Sequence, residues 1–306
     1  MTAALETEHL SRRYGRTEAV RDLTLSVPEG SVFAFVGPNG AGKTTTIKAV
    51  MNLLEPSAGR ATVLGVNSRR LGPPQLRQIG YVSENQELPN WMTVRQLVAH
   101  VKPLYPSWDD SFATSLGRQF DLPPGRQLKA LSRGMRMKAA LLASLAYRPR
   151  LLVMDEPFAG LDALVRDELI QGVLELTQQE HWTVFISSHD IDEVERLADW
   201  IGIINEGRLH LSEPVTSLLA RFRQIEVTVE GEASLPSSLP SSWLLAGTSA
   251  HIVRFVDSAF DDQTERRVRA VWPNATMVSA TPLSLRNIFV TLARTWRLSS
   301  PAKEAL

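Results

Sequence analysis

The chain has 306 residues, of which 43% are hydrophobic and 22% charged, an ordinary globular composition with room for one large domain and a small one. Lysine plus arginine and aspartate plus glutamate number 33 each, so no overall basic balance argues for a nucleic-acid partner. There is no cysteine, which excludes disulfides, thiolate zinc sites and cysteine nucleophiles.

The N-terminal stretch MTAALETEHLSRRYG carries acids early and has no apolar signal core. Ser31 to Val36 reads as a buried strand and Thr44 to Leu54 as a helix. Between them lies GPNGAGKT, Gly37 to Thr44, which fits the phosphate-loop pattern G-x-x-x-x-G-K-[ST] at every fixed position. A strand that turns through glycines into a helix N-terminus aims backbone N–H groups and the positive end of the helix dipole at one point. Gly37, Pro38, Asn39, Gly40, Ala41, Gly42, Lys43, Thr44 and Thr45 are therefore candidate phosphate-binding residues. Lys43 reaches the β- and γ-phosphates of such a ligand, and Thr44 Oγ is placed to ligate Mg²⁺. A glycine-rich turn with a chance lysine is the bland alternative, and the correct flanks on both sides weigh against it.

Val63 and Leu64 lie in a short apolar stretch, and Gln78 to Val82 reads as a strand. Residues 90–147 are mostly helical. Thr93 and Gln96 form a capping-box pattern opening one helix, which Pro103 and Pro106 end. Asp110 to Phe120 is a second helix and Ser132 to Tyr147 a third, the latter holding the longest apolar run, well short of a membrane span. Leu151 to Met154 is an apolar strand ending in two carboxylates, Asp155 and Glu156. Asp155 suits Mg²⁺, and Glu156 suits polarising a water for attack on a γ-phosphate. Trp182 to Ile186 and Trp200 to Ile204 are further strands, and Asp162 to Gln178 and Asp190 to Ala198 are helices that open on capping aspartates. This alternation implies a largely parallel sheet with helices on its faces. From Ser212 the composition shifts. A Pro/Ser-rich loop, 232–242, sits among expected strands at 224–230, 251–256 and 275–279 and helices at 261–272 and 284–296.

The order of these motifs resembles the ATP-binding cassette (ABC) ATPases over residues 5 to about 212. Phosphate loop, Leu131-Ser-Arg-Gly-Met135 in the signature position, acidic strand, Ala159-Gly-Leu-Asp162 as the D-loop and Ser188-His189 as the switch histidine follow in the family's sequence. The small C-terminal segment and the 283–289 helix look most like ATPase subunits of ABC-2-type transporters. The resemblance implies an α/β fold: a P-loop ATPase core with a mostly parallel sheet (1–212), a helical insertion at about 90–147, and a C-terminal α+β accessory domain (213–306). It also implies an ATPase that binds ATP and Mg²⁺ and dimerises with a second copy to drive separate transmembrane permease subunits. Its place is then cytoplasmic, peripheral on the inner face of the cell membrane, with no nucleic acid. Tyr14 stands where an aromatic stacks on adenine, Ser132 and Gly134 where the signature meets the partner's γ-phosphate, and His189 where it holds the attacking water. Asp162 stands where the D-loop crosses the dimer interface.

Two motifs depart from the family, at Glu84 and at Arg133 and Met135. Glu84 replaces the usual Q-loop glutamine, which would put a carboxylate on Mg²⁺, and LSRGM replaces LSGGQ, so that Arg133 faces either a partner's phosphate or solvent. These departures keep a regulatory, weakly hydrolytic ATPase in view as an alternative. A nucleic-acid-associated cassette is a further alternative, against which stand the absence of a coiled-coil insertion and of zinc cysteines.

Overall fold

The computed structural model describes residues 2–180 and 182–299, and the expected domain limits at residues 1 and 306 lie outside them. The chain divides into two units, Met1–Ser212 and Glu213–Leu306. The first opens with two long antiparallel strands, β1 (Ala3–Tyr14) and β2 (Thr17–Pro28). Next come β3 (Val32–Val36) and, after the glycine loop, α1 (Lys43–Val50). β4 (Ala58–Val63), β5 (Val66–Asn67) and the short α2 (Pro73–Leu76) lead into β6 (Ile79–Ser83). The helical insertion holds α3 (Val94–Val101), α4 (Asp110–Gln119) and α5 (Arg133–Leu145). The chain then alternates through β7 (Leu151–Asp155), α6 (Ala163–Glu180), β8 (Thr183–Ser188), α7 (Ile191–Leu197), β9 (Trp200–Asn205) and β10 (Arg208–Pro214).

A six-stranded sheet runs in the order β10-β9-β3-β8-β7-β6. Its pairs β3–β8, β3–β9, β6–β7 and β7–β8 are parallel. Every residue of β3, β7 and β8 is buried, as expected of parallel strands covered on both faces. Phe33, Phe35 and Phe185 pack there at ring separations of 5.8 and 5.5 Å, and each such side chain contributes about 1.5–3 kcal/mol on burial. Around this sheet the expected strands and helices hold, with ends shifted by at most four residues, whereas β10 was not expected.

A second, antiparallel sheet in the order β2-β1-β4-β5 was not foreseen: β1 and β2 were missed, and only the end of β4 was recognised. Its strands carry positive-φ irregularities at His9 and Asp22, and register shifts break their alternation. In the insertion the capping box forms as read. Thr93 Oγ1 accepts from the Gln96 N–H at 3.2 Å, and Gln96 Oε1 accepts from the Thr93 N–H at 2.8 Å.

The second unit holds α8 (Val215–Arg221), β11 (Arg223–Val229), β12 (Trp243–Ser249), β13 (Ile252–Asp257), α9 (Thr264–Val271), β14 (Ala275–Pro282) and α10 (Leu285–Ser299). Its antiparallel sheet runs β12-β13-β11-β14. Three of its strands were expected and β12 was not. Trp243 stacks on Phe255 at 4.4 Å and on Trp272 at 5.7 Å, giving this unit an aromatic core of its own. Among the described residues, no helix is long and apolar enough to cross a membrane.

Candidate functional site

The C-terminal ends of β3, β8 and β7 lie side by side, the position where open α/β sheets bind ligands. β3 delivers the glycine loop to this edge. Gly42 caps α1 at φ 110°, and a Cβ there would fall 2.4 Å from the Ala19 carbonyl, so only glycine fits. Gly37 has an ordinary φ, but a Cβ would lie 2.2 Å from the Ile204 carbonyl: here the need is close approach, not conformation. Lys43 is buried, and its ammonium donates to the Gly37 carbonyl at 2.6 Å and the Pro38 carbonyl at 3.2 Å.

β7 brings in the acidic pair. Asp155 is buried and accepts from Thr44 Oγ1 at 3.1 Å and from Ser187 Oγ at 2.7 Å. Burial pushes its pKa up, opposed by those two hydrogen bonds. The chain turns sharply at Glu156, φ 52°, whose N–H donates to Ser187 Oγ at 3.0 Å. One Glu156 carboxylate oxygen lies 3.0 Å from Lys43 Nζ, an ion pair without a directed hydrogen bond. The other is 2.7 Å from His189 Nδ1, just past the end of β8. Lys43, Thr44, Asp155, Glu156 and His189, far apart in sequence, thus form one connected cluster.

A cleft of about 240 Å³ at this edge is lined by Ala19, Asn39, Gly40, Gly42, Lys43, Thr44, Thr45, Glu84 and Glu156. Ala41 is buried, and its carbonyl accepts from the Gly207 N–H at 2.9 Å, bracing the loop from behind. Thr44 Oγ1 and Asp155 Oδ1 are hard oxygen donors side by side, a pair that fits Mg²⁺.

The remaining residues divide. Tyr14 ends β1, 47% exposed, with the Arg12 guanidinium 4.8 Å over its ring. Ser132 is exposed and caps α5, accepting from the Met135 N–H at 3.2 Å. Gly134 is buried against α6, where a Cβ would meet Val165 Cγ1 at 2.4 Å. Asp162 caps α6 through the Val165 N–H at 3.0 Å.

Glu84 lines the cleft, and its Oε1 accepts from Arg133 Nη2 at 2.5 Å. Arg133, expected to face a partner's phosphate or solvent, is paired within its own chain. Gln86 lines the neighbouring cleft with Arg133 and Arg136, not the cleft of the glycine loop.

Sequence reasoning missed Ser187, which joins Asp155 to the Glu156 backbone. Its signal was two serines closing an apolar strand, a costly burial unless they bond to something. Also missed was the brace behind His189. Ser188 Oγ donates to buried Glu193 at 2.7 Å, and Arg166 Nε lies 3.3 Å from the same carboxylate.

The family model described as ABC transporter matches residues 20–159. The bacitracin transport ATP-binding protein BcrA of Bacillus licheniformis is 32% identical over 73% of this chain and 74% of its own length. Among solved structures, an ATP-binding subunit of an ABC transporter superposes with a TM-score of 0.64 at 27% identity, covering 72% of this chain and 92% of its own. A dimeric structure of MJ0796, a bacterial ABC transporter cassette, gives 0.62 at 20% identity over 69% and 98% of the two chains.

Proposed function

The chain belongs to the ABC transporter ATP-binding family and is an ATPase subunit of that class, and from this premise we propose that two copies enclose two ATP molecules and drive separate membrane-embedded subunits. The observation that carries the reading is the junction of Thr44, Asp155, Glu156, Lys43 and His189 at the edge of the sheet.

The glycine loop binds the polyphosphate through its N–H groups and Lys43. Thr44 and Asp155 would hold Mg²⁺, which would supply charge neutralisation for the polyphosphate. Glu156 orients and polarises the attacking water, and His189, already bonded to Glu156, fixes that carboxylate and meets the γ-phosphate. Tyr14 offers a ring to adenine. Ser132, at the positive end of the thirteen-residue α5, presents its hydroxyl to the γ-phosphate of the partner's nucleotide, with Gly134 behind it and Asp162 at the seam. The MJ0796 cassette, a dimer of the same fold, supports pairing of two copies.

The subunit then sits on the inner face of a membrane without crossing it, and residues 84–92, between β6 and the helical insertion, meet the permease. Within the family it falls with the ABC-2-type exporters. Disulfide trapping tests the sandwich. Cysteines at Ser132 and Gly40, in a chain with no other cysteine, should crosslink between subunits only when ATP is present. Crosslinking indifferent to nucleotide would reject it.

A further inference from the structure

Two of the positions at which this chain departs from its family, Glu84 and Arg133, touch each other. Glu84 and Arg133 are 49 residues apart and are joined at 2.5 Å. Both are pinned. The Glu84 N–H donates to the Asp155 carbonyl at 2.9 Å, tying its backbone to the end of β7. The Arg133 guanidinium lies against Gly160, where a Cβ would come within 2.5 Å of Nη1. The cleft of the glycine loop is lined by two carboxylates, Glu84 and Glu156, and one cation, Lys43. Lys43 is already matched to Glu156. A polyphosphate entering this cleft would meet Glu84 as an added like charge. Among the described residues, the cation on the Glu84 carboxylate is Arg133, at the start of α5.

We propose that Arg133 is a positioning residue for the nucleotide pocket of its own subunit: it neutralises Glu84 and holds the carboxylate off the phosphates, so that a glutamate works where the family has glutamine. This rests on the nucleotide reading above and deepens it. It also gives LSRGM a cis role, separate from contact with a partner's ATP.

The test is a double-mutant cycle read by titration of dilute protein with a fluorescent ATP analogue and Mg²⁺. Arg133→Ala should raise the Kd about five-fold, the scale for losing a partly exposed charge pair. The loss should shrink as salt is raised. Arg133→Lys should retain most of the affinity, since charge and not shape is at issue. In a Glu84→Gln background, Arg133→Ala should change the Kd by less than about two-fold, because no carboxylate is left to neutralise. An equal loss in both backgrounds would overturn the proposal and point to Arg133 contacting nucleotide directly. No loss in either background would overturn it as well. Failure of the wild type to bind the analogue, with Lys43→Ala no weaker, would instead reject the nucleotide site and the proposal with it. Both side chains are partly exposed, 31% for Glu84 and 50% for Arg133, so the variants should fold, which a thermal melt of each confirms.

Discussion

At the level of single residues, Glu156 is the hub: Lys43 on one oxygen, His189 on the other, and Ser187 on its N–H. Substituting Glu156→Gln keeps the size and the hydrogen-bonding reach but removes the charge that polarises water. Hydrolysis should fall by about 10²–10⁴-fold while ATP affinity is kept. Lys43→Ala should fail differently, by losing affinity, because its ammonium is the cation that meets the phosphates. Steady-state ATPase assays beside equilibrium binding separate the two, and normal turnover by Glu156→Gln would remove it from the reaction. Behind His189, Glu193 gives a pH-dependent prediction. Burial raises its pKa, opposed by the Ser188 hydrogen bond and Arg166, with Asp190 raising it further. A raised folded pKa means that its stabilising contribution is present below the unfolded value and is lost as pH rises through the folded one. Glu193→Gln carries no such titration. Relative to wild type it should therefore look more stable at about pH 8 than at about pH 3.5, on either side of the carboxylate range. Urea unfolding at the two pH values measures this, and a difference that does not change with pH would mean that the carboxyl is not perturbed.

Elements show why some of this was legible in the sequence and some was not. The phosphate loop is contiguous, and its flanking strand and helix carry clean periodicity, so β3 and α1 were readable from local signals. β1 and β2 were not. They carry charged residues such as Glu6, Glu8 and Arg13 at exposed positions, and their register shifts defeat a period-two pattern. β12 was hidden likewise by Leu245 at φ 51° and by the Pro/Ser-rich run before it. The Glu84–Arg133 pair belongs to tertiary structure alone, because nothing local to either residue names the other. Helix packing also carries a test of the signature. Gly134 faces Val165 so closely that an added methyl must displace the Val165 side chain or the helix that carries it. Gly134→Ala should cost about 1–3 kcal/mol, the range for overpacking. Adding Val165→Ala should return most of that stability in a urea titration. If ATPase activity returns with it, the glycine serves packing. If activity stays low in the restored fold, the glycine's bareness is needed at the partner's phosphate.

On the scale of the whole molecule, every residue assigned to the nucleotide lies within Met1–Ser212, while Glu213–Leu306 has its own sheet and its own stacked aromatic core. Chains of about 55–65 residues can already fold alone, so a unit of this size with Trp243, Phe255 and Trp272 packed together is large enough to do so. Expressed by itself, residues 213–306 should unfold cooperatively in urea, with tryptophan fluorescence as the probe; a gradual, non-cooperative change would mean that its core needs the first unit. We expect the second unit to tune dimerisation or contact with the membrane partner, not to complete the ATP site. The cut that tests this belongs after Pro214, where β10 ends, because ending the chain at Ser212 would shorten an edge strand of the main sheet. The shortened chain should bind ATP with unchanged affinity, while ATP-driven dimerisation or partner-stimulated turnover shifts. Circular dichroism establishes that it has folded, and loss of nucleotide affinity in a folded truncation would show that the second unit supplies part of the site. The Glu156→Gln substitution sharpens the comparison. By blocking hydrolysis it should hold the ATP-bound dimer on size exclusion, so that a change in the dimer fraction between full and shortened chains reports on association alone.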